Sequence, residues 1–227
     1  EATVGRRGPV WIDVPVDIQN RQIPADMPGY RPPCRENPEE DLHFIAQRLA
    51  AANKPLLLAG GGVRSAGAVQ LLEKLCEMMH IPAVTSRGGI DSIASDFPFF
   101  VGRPGSYGDR ASHFAIQQCD CLLILGCRLS VSTIGYYPQR FAQTAYKIMV
   151  DIDRKELDKP DVPVDIRLNM DLKRCLEQIL AHCAGLTQVD HGDWLAHCQE
   201  MRRQYPNVLP CYAQERPLNS YYFTRLL

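Results

Sequence analysis

No apolar run approaches the roughly 20 residues needed to cross a bilayer. The first residues, Glu1-Ala2-Thr3-Val4-Gly5-Arg6-Arg7, hold no apolar stretch of the kind a secretory leader carries. A membrane partner is therefore not expected. Excess charge of either sign is also missing: 25 Lys and Arg stand against 26 Asp and Glu, so nothing favours a polyanion such as nucleic acid as a partner. A paired cysteine framework is absent as well. The nine cysteines are odd in number and scattered, and Cys76, Cys175 and Cys183 sit in apolar surroundings. They read as reduced thiols of a cytoplasmic protein. Cys119 and Cys121, with His113 nearby, lack the second C-x2-C or H-x3-H element that completes four ligands, so no metal is expected there.

Two familiar motifs are missing too. Gly60-Gly61-Gly62-Val63-Arg64-Ser65 places a serine where the dinucleotide fingerprint G-x-G-x-x-G needs its third glycine. The acidic residue usual about 20 positions further on is also absent, since the next strand ends Thr85-Ser86. A hydrolase nucleophile elbow would need glycine two residues before Ser65, and Val63 stands there.

What is present is a chain of 227 residues, 45% hydrophobic and 22% charged, enough for one substantial domain or one domain with extensions. Gly8 to Pro15 reads as a short strand, and Asp17 to Arg35 as an extended linker set by Pro24, Pro28, Pro32 and Pro33. Asn37, Pro38 and Glu40 form a helix start ahead of an apolar stripe at Leu42, Ile45, Ala46 and Leu49. Strands are expected at Leu56–Ala59, Ile81–Thr85, Cys121–Leu125 and Lys147–Ile152, with a short edge strand at Val162–Ile166. Helical stripes are expected over Ala68–Met79, Arg110–Cys119 and Leu172–Leu180, and a further helix over Trp194–Tyr205. Short apolar strands alternating with amphipathic helices specify an α/β fold, a doubly wound parallel sheet with helices on both faces. The expected division is a leading segment over 1–36, the α/β domain over 37–184, and a linker with the start of a new helix over 185–227. Both ends read as cut from something larger.

Three stretches carry candidate chemistry. Gly60-Gly61-Gly62 joins a strand to a helix, where glycines serve either the turn alone or an anion at the helix start. Gly105-Ser106-Tyr107-Gly108-Asp109 precedes another helix, as a phosphate or cofactor loop or as a plain helix entry capped by Asp109. Gly126-Cys127-Arg128 and Asp151-Ile152-Asp153 each end a strand. Glycine admits a phosphate, arginine neutralises it, and a carboxylate receives ribose hydroxyls, unless the two aspartates only cap the turn after them.

In this order the segments resemble the thiamine-diphosphate-dependent enzymes of the acetolactate (acetohydroxyacid) synthase type, over nearly the whole chain. Gly5 to Pro15 is similar to the family's G-R-P-G-P-V-x-[IV]-D-x-P segment, which closes its first domain. Gly102 to Arg128 is similar to G-x-x-G-x-x-G…D-L-L-[IL]-x-x-G-x-R, and Val150 to Lys159 to H-I-D-I-D-x-x-E-[IL]-x-K. Asn219 to Leu227 resembles the opening helix of the third domain.

The resemblance implies a Rossmann-like central domain, flanked in the whole enzyme by pyrimidine- and pyrophosphate-binding domains of the same chain and assembled as a homodimer or tetramer. It implies thiamine diphosphate and Mg2+ in that whole enzyme. Their G-D-G…N-N motif and the family's activating glutamate belong to the other domains, so this chain alone is expected to be inactive. It implies chemistry on a 2-oxo acid, by carboligation or decarboxylation. It also implies a structural FAD, or ADP as in related decarboxylases. The FAD would be lined by Arg6, Tyr107, Gly108, Gly126, Arg128, Asp151 and Asp153, with Gly60, Gly61 and Gly62 on the phosphates. Two departures stand out: G-x-R-F-D-D-R reads Gly126 to Ser132 without the acidic pair or second arginine, and P-K-D reads Pro15-Val16-Asp17. Both suit a relative other than a true acetolactate synthase. A function of another class is a stand-alone nucleotide-binding or regulatory module without catalysis.

Overall fold

Five-residue runs such as Pro55-Leu56-Leu57-Leu58-Ala59 and Cys121-Leu122-Leu123-Ile124-Leu125 are apolar on both sides of a strand, which suits only a strand covered on both faces. The computed structural model, which describes residues 2–3, 5–29, 42–159, 162–186 and 190–227, places them side by side at the centre of one sheet. The strands are β1 (Pro55–Ala59), β2 (Ala83–Thr85), β3 (Phe100–Gly102), β4 (Cys121–Leu125), β5 (Tyr146–Asp151) and β6 (Ile166–Asn169). Their order is β3-β2-β1-β4-β5-β6, and every pairing is parallel. The expected doubly wound α/β fold is what the chain adopts.

The helices are α1 (Val16–Gln19), α2 (His43–Ala51), α3 (Gly61–Ser65), α4 (Val69–Met79), α5 (Arg110–Gln118), α6 (Val131–Ile134), α7 (Arg154–Leu157), α8 (Leu172–Cys183), α9 (Gly192–Gln204) and α10 (Ser220–Leu226). Period-two alternation along the strands splits the core into two layers. Leu57, Ala59, Leu123, Leu125, Ile148 and Val150 face α2, α4 and α8. Leu56, Leu58, Leu122, Ile124 and Met149 face α5 and α9. Each such leucine, fully removed from water, stabilises the fold by roughly 1.5–3 kcal/mol.

The edges of the sheet show where local pattern is weakest. β3 lies where no strand is expected from the sequence, and α9 covers this edge: Gln199 Nε2 donates to Pro98 O and Arg202 Nη1 donates to Phe100 O at 3.1 Å. Such a cover blunts an otherwise open edge. On the other side the edge strand starts at Ile166, where the expected Val162–Ile166 segment ends. Helix α9 falls in the stretch read as linker, yet it buries Trp194 and Cys198 in the core, with Trp194 Nε1 donating to Pro55 O at 2.9 Å. Residues 8–15 form no strand, and Trp11 is 92% exposed. The helix start expected at Asn37 lies outside the described residues. Of the eight described cysteines, all but Cys211 are buried. Among the described residues, no helix is long and apolar enough to cross a membrane.

Candidate functional site

Strand order β3-β2-β1-β4-β5-β6 reverses direction between β1 and β4. At that point the connections leave to opposite faces, and a crevice opens beyond the carboxyl ends of the strands. A cleft of about 530 Å³ lies there, within the range of small-molecule sites. Gly61, Gly62, Gly126, Arg128 and Asp151 line it from the ends of β1, β4 and β5, and Arg6 lines it from the leading segment. The structure thus brings together six of the residues the sequence singles out.

The glycines serve first to bring two turns into contact. A Cβ on Gly60 would collide with the Gly126 carbonyl oxygen and lie 2.5 Å from Cys127 Cα. Gly126 has a φ of +54°, and a Cβ there would lie 2.7 Å from Gly62 Cα. Two glycines at the start of α3 cost about 1 kcal/mol each in helix propensity. The backbone approach outweighs that cost, because a side chain at either turn would push the two apart. Gly60 N–H donates to Leu125 O at 2.8 Å and Gly62 N–H to Gly126 O at 3.0 Å. Val63 N–H donates to Gly60 O. Two amides at the start of α3 are therefore already engaged, and the positive charge of the cleft comes mainly from side chains.

Arg6, Arg7, Arg64 and Arg128 line the cleft, against the carboxylates of Asp151 and Asp171. The organising group is Glu156, on α7, whose side chain is only 5% exposed. It accepts a hydrogen bond from Arg6 Nη1 at 2.8 Å, forms an ion pair with Arg128, whose Nε lies 2.9 Å away, and pairs with Lys159. Burial alone would raise the Glu156 carboxyl, but the Lys159 and Arg6 hydrogen bonds and the nearby charges hold it below its ordinary value. The Glu156 hydrogen bond in turn raises Arg6, against the opposing effect of burial. Two arginines from distant parts of the chain are thus held at one rim of the cleft.

Asp151 behaves in the opposite way. Burial pushes its carboxyl up, partly opposed by the Asp153 N–H that donates to Oδ1 at 2.8 Å. Asn169 Nδ2 donates to its backbone carbonyl at 3.0 Å, fixing the strand end. Asp153 does not line the cleft. Its carboxylate accepts Lys155 N–H at 3.0 Å, capping α7, and meets Arg6 Nη1 at 3.5 Å.

Tyr107 and Gly108 stand apart. Tyr107 is 92% exposed, and neither residue lines the cleft. Their loop is closed on itself by Gly108 N–H to Gly105 O and Asp109 N–H to Arg103 O, both 2.8 Å. It touches the cleft wall through Ser106 N–H, which donates to Ser132 O at 3.2 Å.

Sequence reasoning did not single out Glu156, Lys159, Arg7, Arg64 or Asp171. Glu156 and Lys159 were within reach, since both fall in the Val150–Lys159 segment that carries the resemblance. Among the described residues, no group of three or more His, Cys, Asp or Glu is placed to hold a metal.

A family model described as thiamine pyrophosphate enzyme, central domain, matches residues 42–179. The chain is 36% identical over 211 residues to a protein named probable acetolactate synthase large subunit from Methanocaldococcus jannaschii, covering 89% of this chain and 35% of that one. It is 31% identical over 207 residues to acetolactate synthase isozyme 2 large subunit from Escherichia coli, covering 90% and 36%. It is 30% identical over 219 residues to acetolactate synthase 1, chloroplastic, from Zea mays, covering 90% and 33%. The chain spans about a third of the length of the curated relatives it matches. By this family model and these relatives, the chain belongs to the thiamine pyrophosphate enzymes, as their central domain.

Proposed function

We propose that this chain is the nucleotide-holding centre of an acetolactate-synthase-like enzyme acting on a 2-oxo acid, and that the β1/β4/β5 cleft takes an adenine nucleotide, either FAD or ADP. The observation that carries this reading is the rim built by Glu156. It presents Arg6 and Arg128 to one cleft, beside the carboxylate of Asp151 and the backbones of Gly61 and Gly62. Paired guanidinium groups suit a diphosphate, which they meet with forked, charge-assisted hydrogen bonds. Asp151 would accept ribose hydroxyls. The donor set therefore fits a nucleotide diphosphate.

FAD and ADP share that diphosphate and differ in length. ADP is satisfied by the cleft. A flavin would extend past the Ser130–Thr133 wall toward the loop carrying Tyr107 and Gly108, which adjoins that wall. In this role the flavin is structural, and the protein binds and orients it.

Thiamine diphosphate, with Mg2+, would supply carbanion stabilisation in the longer protein. The residues that hold it are expected in flanking domains of the same polypeptide, and the enzyme is expected to be a cytoplasmic homodimer or tetramer. Residues 1–36 then close the preceding domain, 37–184 form the central unit, and 185–227 lead to the next, with α9 strapped back onto the sheet. The greater length of the relatives favours this reading over a stand-alone nucleotide module.

Calorimetric titration of the 227-residue chain tests the proposal. ADP or FAD should bind at one site per chain, thiamine diphosphate with Mg2+ should not, and a 2-oxo acid such as pyruvate should not be turned over. Turnover by this chain alone, or tight thiamine diphosphate binding, would overturn the division of labour.

A further inference from the structure

A second cavity, of about 310 Å³, shares no lining residue with the nucleotide cleft. It lies where edge strand β3, the start of α5, the end of α9 and helix α10 meet. Three arginines line it: Arg103, Arg202 and Arg225. The one carboxylate in the lining, Asp109, is already engaged. Its Oδ2 accepts Arg103 N–H at 2.7 Å, and its Oδ1 accepts from the Asn207 side-chain amide. The lining therefore holds two positive charges in excess.

Two of the arginines are fixed in place. Arg202 donates from Nη1 to Phe100 O at 3.1 Å and from Nη2 to Ser95 O at 2.6 Å. Arg103 donates from Nη2 to Ile90 O and to Ser95 Oγ, both at 3.2 Å. Both guanidinium groups lie against the ring of Phe100, at 4.7 and 5.4 Å from its centroid. Each ring contact is favourable in itself, and together they bring two guanidinium groups to one side of the cavity. Arg103 Nε is buried and has no hydrogen-bond partner among the described residues. A buried N–H left open in this way calls for a partner from solution, a water or an ion. Arg225 has no ion pair among the described residues and completes the ring of donors from α10. Tyr205, Pro206 and Val208 are also in the lining and give the cavity an apolar wall on one side.

We propose that this cavity is an anion site for a small phosphate monoester with a short apolar or aromatic body. The two excess positive charges match a phosphate monoester, which carries about −1.5 to −2 near neutral pH. Forked arginine donors match its oxygens. The apolar wall accounts for space beyond the phosphate itself. The site is independent of the nucleotide proposal, because none of its residues belongs to the cleft.

Calorimetry on the 227-residue chain at fixed ionic strength tests it, with phenyl phosphate, inorganic phosphate and benzoate as probes. Phenyl phosphate should bind at one site per chain, more tightly than inorganic phosphate or benzoate. Arg225→Gln and Arg103→Lys should each weaken it about tenfold, the loss expected for one charge-assisted hydrogen bond. Arg128→Gln should leave it unchanged. Should Arg103→Lys fail to fold, Arg225→Gln on the exposed helix decides alone. Absence of saturable binding would mean that water fills the cavity, and would overturn the proposal. So would benzoate binding as tightly as phenyl phosphate, or loss of binding in Arg128→Gln but not in Arg225→Gln.

Discussion

Two glycine-rich turns precede helices in this chain, and they do different things. Gly60-Gly61-Gly62 ends a central strand and packs against Gly126, at the end of the neighbouring strand. Gly105-Ser106-Tyr107-Gly108 follows an edge strand, closes on its own carbonyls, and holds Tyr107 out in solvent. Local composition is similar, but position in the sheet is not. A glycine turn at the point where strand order reverses is pressed against a second turn and opens on a cleft. The glycine turn after the edge strand presses instead on the backbone at Ser132, where a Cβ on Gly105 would collide with the Ser132 carbonyl oxygen, and it has no neighbouring strand end beside it. Strand adjacency therefore decides which turn faces the cleft.

The largest expected effect breaks the first turn. Gly60→Ala should destabilise the chain by about 3 kcal/mol, because the new methyl group meets backbone that cannot move without parting β1 from β4. Gly67→Ala is the control: its φ is +65°, but nothing lies within 4 Å of the added Cβ. That change should cost only about 1–2 kcal/mol, the strain of a left-handed residue. Urea denaturation of both variants measures the gap, and equal losses would mean the contact with Gly126 carries no weight.

Glu156→Gln comes next, at about 2 kcal/mol. The change removes the negative charge that pairs with Arg6, Arg128 and Lys159 and puts an amide NH2 donor on one side, with the value discounted for the exposure of its partners. Its pH dependence has a fixed sign. The folded-state pKa of Glu156 lies below its ordinary value. Its stabilisation is therefore complete above that ordinary value and is lost as pH falls through the folded one. Wild type and Glu156→Gln should converge in acid and separate toward neutral pH.

Asp151 has the opposite sign and a smaller effect. Its folded-state pKa is raised by burial, so the native state binds the proton more readily than the unfolded chain. Stability contributed by the protonated form is lost as pH rises through the folded value. Asp151→Asn should therefore stabilise the chain at neutral pH by up to about 1 kcal/mol, while weakening nucleotide binding. Thermal melts and a binding titration on the same variant give both numbers.

Tyr107→Ala should change stability least, within about 0.5 kcal/mol, as expected at an exposed position. It separates the two ligands of the comparison: FAD affinity should fall several-fold, while ADP affinity stays as it is. Equal loss for both would put the second glycine turn on the diphosphate.

Much of the fold was readable from the sequence. β1, β2, β4 and β5, and the helices between them, followed from pattern and length. β3 was missed because three residues between Pro98 and Pro104 carry no period of their own, and only α9, 100 residues further on, satisfies that edge. β6 was displaced because exposed Arg167 and half-buried Asn169 interrupt the apolar pattern. Gly8 to Pro15 has a strand's composition but no neighbouring strand to pair with among the described residues. In the site, Gly61, Gly62, Gly126, Arg128 and Asp151 were legible as strand ends. Glu156 was not singled out, because a buried carboxylate gathers three cations only once α7 is folded against Arg6 from the other end of the chain. The contact of Gly60 and Gly62 with Gly126 depends on strand order, which no local pattern encodes.

The most direct measurement is a flavin fluorescence titration of the 227-residue chain, repeated on Arg128→Gln and competed with ADP. Saturable quenching at one site per chain is expected, with displacement by ADP and an affinity lowered about tenfold in the variant, as one charge-assisted contact would require. Flavin fluorescence that stays unchanged, or quenching indifferent to both ADP and Arg128→Gln, would contradict a nucleotide site in the cleft.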